Sequence, residues 1–154
     1  MIDAIDRKIL RLLQEDASLA VAAIAERVGL SSTPCWRRIQ NLEKAGVIRK
    51  RVALLDAGKL NVGVSVFVRV KAARHSYEWL ERFAAGVAKI DEVVEFYRMS
   101  GDIDYLLRVV VPDIAAYDGV YKRLIKTAEL ADVSSNFAME TIKHTTALPL
   151  DYIG

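Results

Sequence analysis

Thr33, Arg37, Gln40 and Lys44 recur at intervals of three and four residues, and at helical spacing they share an arc of about 60° on one side of a helix. Their chemistry suits the major groove of duplex DNA. Arginine donates two hydrogen bonds to guanine, glutamine pairs bidentately with adenine, and threonine meets a base edge or a thymine methyl. Trp36 and Asn41 flank the arc, while Cys35, Ile39 and Leu42 form an apolar stripe opposite it. Trp36 serves either to pack against the preceding turn or to touch the DNA backbone. Arg38 sits at the edge of the apolar stripe, better placed for a phosphate than for a base. Lys44, Arg49, Lys50 and Arg51 are also suited to phosphates, which position a protein without reading sequence. Ser31 and Ser32 open the helix and complete the candidate set. A charged outer face can also be merely solvated, and charge distribution decides between the two. Ser31–Leu55 holds six Lys/Arg and a single acid, Glu43. The net charge of +2 conceals ten bases against six acids in residues 1–55, and twelve against fourteen afterwards. One nucleic-acid-facing part joined to a mildly acidic remainder is implied.

Other chemistries lack their residues. His75 and His144 are the only histidines and fall in different elements, so no metal is expected. Cys35 is the only cysteine, which excludes an internal disulfide, and its place on the apolar stripe suits packing. Asp102 and Asp104 imitate a carboxylate pair without a neighbouring nucleophile or base. No phosphate-cradling glycine loop or dinucleotide fingerprint occurs, so neither cofactor nor catalysis is expected. No apolar run approaches the ~20 residues that cross a bilayer, and the opening Met1–Asp6 is acidic rather than signal-like. With no membrane association expected, a cytoplasmic protein is the simplest reading.

The elements that must hold these residues follow from periodicity. Ile5, Ile9, Leu12 and Leu13 mark a first helix, and Val21 to Arg27 a second, ended by Gly29 in a left-handed cap. Leu30 to Pro34 opens the third, Ser32–Ala45, with Ser31 or Thr33 as its cap and Pro34 tolerated in the first turn. Two helices joined by a short turn containing glycine make a helix-turn-helix. Val47 to Leu55 reads as a strand or hairpin with interleaved bases. The polar stretch 56–61 is expected to link a DNA-binding domain, 1–55, to a second domain, 62–154. There the period changes to two: Val62, Val64, Val66, Val68 and Val70 alternate along a half-buried strand. A helix through Tyr77–Val87, strands Glu92–Met99 and Ile103–Val111 around Ser100-Gly101-Asp102, a helix from Pro112, and a last strand from Val133 to about His144 complete a βαββαβ order. That predicts a ferredoxin-like sandwich, and an α+β protein overall.

Ala25–Ile39, with Leu42–Ile48, resembles the Lrp/AsnC family of feast/famine regulators, and so does the opening Ile5–Leu10. Met99–Leu107 is similar to that family's ligand-domain signature. Two motifs in order cover essentially the whole chain. The resemblance implies a winged helix-turn-helix, subunits paired as homodimers and assembled into octamers, and an amino acid effector bound between dimers. Carried over, the effector site is Met99, Ser100, Gly101, Asp102, Ile103 and Asp104, with Ser134 and Ser135. Gly101 would expose backbone donors, Asp102 or Asp104 would accept from an ammonium, and the serines would donate to a carboxylate. Ser-Gly-Asp is also ordinary hairpin chemistry, and Asp104 can instead pair with Arg108 or another subunit. Residues 75–83, 135–140 and 145–149 are similar to a branch associated with cysteine metabolism, which implies a sulfur amino acid. The competing function is an architectural, chromatin-like DNA binder without an effector.

Overall fold

The computed structural model describes residues 1–153, which divide into two units. The first comprises Met1–Leu54 and the tail from Lys143; the second is Leu55–Ile142. The expected break near 56–61 thus falls a few residues earlier. The tail, expected to stay with the second domain, is arranged with the first.

In the first unit, α1 (Ala4–Glu15), α2 (Val21–Val28) and α3 (Ser32–Lys44) enclose a core of Ile9, Leu10, Ile24, Ala25, Val28, Cys35, Ile39 and Leu42. Helix α1 begins with a capping box. The Asp3 carboxylate accepts from the amides of Ile5 and Asp6 at 2.8 and 2.9 Å, and the Asp6 carboxylate accepts from the Asp3 amide at 3.1 Å. Gly29 closes α2 at φ 76°, as its type predicts. Ser31 occupies the N-cap of α3 by backbone conformation, but its hydroxyl makes no capping bond.

The tail lies along α1. The Gln14 amide both donates to the Leu148 carbonyl (3.1 Å) and accepts from its N–H (2.6 Å), while Arg7 donates to the Ile153 carbonyl at 3.1 Å. Leu150 packs on the helical core.

The strand or hairpin expected at 47–55 does not form among the described residues. The amides of Val47 and Ile48 turn back to the Leu42 carbonyl, and Val52, Leu54 and Leu55 stand exposed. Apolar residues flank the three bases as expected, but no neighbouring strand supplies a ladder, and an unpaired strand has nothing to fix it.

The second unit is the expected βαββαβ sandwich: β1 (Val64–Ala72), α4 (Tyr77–Val87), β2 (Val93–Arg98), β3 (Tyr105–Val111), α5 (Ile114–Leu124) and β4 (Leu130–Phe137). Its four strands are antiparallel in the order β2-β3-β1-β4. The even valines of β1 face Trp79 and Phe83 of α4 and Tyr117, Val120 and Leu124 of α5 in one core. The other sheet face carries no helix. Phe67, Val94 and Tyr97 are exposed there, Tyr97 by 51%. β4 ends at Phe137, short of the expected His144, after one further bond from the Ala138 amide to the Ser65 carbonyl.

Candidate nucleic-acid interface and effector loop

Helix α3 is positioned by its apolar stripe: Cys35, Ile39 and Leu42 are all buried, so the opposite side must face outward. Ser31, Ser32, Thr33, Arg37, Asn41 and Lys44 are exposed there, as are Arg49, Lys50 and Arg51 beyond the helix. Trp36 keeps half its surface free, leaving an indole edge for a partner. Cys35 is fully buried and desolvation pushes its thiol up, which unsuits it for nucleophilic work.

Three predicted side chains, Arg38, Gln40 and Arg51, are committed within the chain. Arg38, expected to reach a phosphate, turns instead to the start of α1, where its Nη1 meets Asp3 Oδ2 at 2.6 Å and Asp6 Oδ1 at 2.8 Å. At about 140° from Thr33 it lies too far round the helix to share the outer surface. The pairing with Asp6 and then Asp3 raises the Arg38 pKa, while the Asp6 amide and Arg38 hold Asp3 below the usual carboxylate range. Gln40 is half-buried, and its Nε2 donates to Glu43 Oε2 at 2.9 Å. The other oxygen of Glu43 accepts from Arg51 at 3.0 Å. Sequence reasoning passed over Glu43, although a lone acid among six bases, three residues after Gln40, was visible.

The loop before β3 is a tight turn. Gly101 has φ 105°, a conformation side chains disfavour, and the Met99 amide closes onto the Asp104 carbonyl at 2.8 Å. Met99, Ser100, Gly101 and Asp102 are exposed; Ile103 and Asp104 are half-buried. Asp104 does not pair with Arg108, which binds Glu95 at 2.9 Å instead. Its Oδ2 accepts from the Ala72 amide at 2.8 Å, and its Oδ1 lies 3.7 Å from His75 Nδ1. One carboxylate oxygen thus ties the loop to the end of β1.

Ser134 and Ser135 separate. Adjacent strand residues face opposite ways, and Ser134 opposes Arg69 on the open face, accepting from its guanidinium at 3.2 Å. Ser135 points under the sheet to the Tyr117 hydroxyl. The two cannot line one pocket, so Ser135 leaves the candidate set. Arg69, unnoticed in the sequence as one charge in an alternating strand, joins Ser134 near the same end of the sheet as the loop.

Comparison with known proteins places a family on each unit. A model of the Lrp/AsnC ligand binding domain matches residues 65–148, and a winged helix-turn-helix DNA-binding model matches residues 2–49. The DNA-binding transcriptional activator DecR of Escherichia coli (strain K12) is 49% identical over 152 residues, covering 98% of this chain and 100% of DecR. The crystal structure of an AsnC family transcriptional regulator from Agrobacterium tumefaciens matches with TM-score 0.95 at 68% identity, covering 98% of this chain and 99% of that one. A transcriptional regulator from Neisseria meningitidis, solved as a complex with L-methionine, matches with TM-score 0.93 at 39% identity over 98% of both chains. With a DNA-binding model on the helical unit, a ligand-domain model on the sandwich and relatives matched end to end, this chain belongs to the Lrp/AsnC family of transcriptional regulators.

Proposed function

We propose that the protein is a sequence-specific transcription regulator that reads the major groove with α3 and answers to an amino acid. The observation that carries the reading is the outward side of α3, where Thr33, Arg37 and Lys44 stand exposed while the other side of the helix is sealed in the core. Arg37 and Thr33 read bases, with Gln40 between them. Lys44, Arg49 and Lys50 hold phosphates, while Arg51 stays with Glu43. A protein that reads chromosomal DNA works in the cytoplasm of a bacterial cell.

The effector sits against the loop 99–104. Asp102 takes the ammonium, and Ser100 with the backbone amides at Gly101 takes the carboxylate. The loop is exposed, so the remaining wall of the site comes from another subunit. The L-methionine carried by the Neisseria relative supports an amino acid of the sulfur type, and the ligand binding domain matched over residues 65–148 favours a regulator over an architectural binder.

Subunits pair through the open sheet face and present two recognition helices to half-sites about one helical turn, ~34 Å, or a multiple of it apart. The dimers assemble further into octamers, with the effector between them.

Duplex binding tests the DNA reading. Arg37→Ala is expected to weaken specific binding by about 1–3 kcal/mol and relax the preferred sequence, whereas Lys50→Ala weakens all duplexes alike and lowers the salt slope by about one. Uniform loss in both would refute the assignment of base readers. Thermal unfolding with each of the twenty amino acids tests the sensor: selective stabilisation by one or a few is expected, and none by any would remove the effector.

A further inference from the structure

Glu43 places a negative charge in the middle of a surface otherwise built from bases. Both its oxygens are occupied, Oε2 by Gln40 Nε2 at 2.9 Å and Oε1 by Arg51 Nη2 at 3.0 Å. A carboxylate paired with a guanidinium has no hydrogen to donate. The Gln40 atom facing it is therefore the amide nitrogen, and the carbonyl Oε1 is the end turned away. An unrestrained glutamine flips its amide and accommodates either donors or acceptors, whereas this one is half-buried and held at its nitrogen.

We infer that Glu43 is a specificity-determining positioning residue: by gripping Gln40 Nε2 it presents Gln40 Oε1 outward, so that this side chain selects the exocyclic amino group of adenine or cytosine and rejects the O6 and O4 acceptors of guanine and thymine. The inference rests on the reading of α3 as the major-groove helix. One amide N–H of Gln40 stays free, and adenine N7 accepts it, which makes adenine the better of the two bases. Arg51 covers the second oxygen and lessens the repulsion that a bare carboxylate would exert on the phosphates.

Selection from a random duplex library by the full chain tests this, with wild type compared against Glu43→Gln, Gln40→Ala and Arg37→Ala. Wild type is expected to show a position favouring adenine or cytosine that Gln40→Ala erases. Glu43→Gln, whose amide holds Gln40 in either orientation, is expected to reduce that preference by about 3- to 10-fold, the worth of one hydrogen bond. The preference that depends on Arg37 is expected to survive in Glu43→Gln, which also shows that the variant is folded. Equal weakening at every position means that Glu43 is merely structural, and overturns the inference. So does an undiminished preference in Glu43→Gln, or guanine or thymine at the position that Gln40→Ala affects. Should Glu43→Gln not fold, the wild-type and Gln40→Ala comparison decides alone. A wild type that selects no sequence at all overturns the DNA reading itself, a distinct result from selection that ignores Glu43.

Discussion

Arg37 and Arg38 are neighbours in sequence with opposite circumstances. Among the described residues Arg37 has no ion pair, while Arg38 is spent on Asp3 and Asp6 at the start of α1. The helical angle alone separated the two, since it put Arg38 on the edge of the buried stripe. Its acidic partners lie more than thirty positions earlier, and helical periodicity carries no information at that range. The same pairing has a pH signature. Asp3 titrates below the ordinary carboxylate range in the fold, so its contribution is complete above that range and is lost as acid protonates it through its folded value. Asp3→Asn keeps an oxygen for the helix cap and removes the charge. Its melting temperature is expected below wild type at neutral pH, with the gap closing in acid. A gap that stayed constant with pH would mean that the Asp3 charge contributes nothing to the fold.

At the scale of elements, what was legible followed from repeat distance. The three-and-four spacing of Cys35, Ile39 and Leu42 found the buried side of α3, and the alternating valines found β1 with its correct inner face. What failed depends on partners elsewhere in the chain. The 47–55 segment has strand-like apolar residues around its bases yet no strand beside it, and β4 stops at Phe137 because β1, which it pairs with, runs out near Ser65. Strand alternation was itself sufficient to split Ser134 from Ser135; the effector set kept both because it was carried over as a motif. Close approach between elements was invisible. A Cβ on Gly86 of α4 would come within 2.6 Å of the Thr127 side chain just after α5. Gly86→Ala gains ~1 kcal/mol in helix propensity against ~1–3 kcal/mol for overpacking, so a net loss of about 1 kcal/mol is expected in denaturant unfolding. Adding Thr127→Gly should recover part of it. A Gly86→Ala chain more stable than wild type would show that the turn yields freely.

At the scale of the whole molecule, the uncovered sheet face and the tail matter most. Phe67, Val94 and Tyr97 present apolar surface on a sheet whose other side is packed, and this is the face proposed above for pairing. Phe67→Glu faces away from the core, so the sandwich should stay folded while pairing weakens. Losing two symmetric phenyl contacts at ~1.5 kcal/mol or more each raises the dimer dissociation constant by at least about 100-fold. Sedimentation at micromolar concentration checks it, and an unchanged mass would direct attention away from this face.

The arrangement of the tail on α1 also sets a schedule. Protein domains ordinarily take shape as they leave the ribosome, the earlier ones first. Here the three N-terminal helices emerge long before Leu148 and Leu150, which meet Gln14 and the helical core only after every strand of the sandwich has been made. The part of the polypeptide translated first thus gains its last contacts only when residue 150 is free of the exit tunnel.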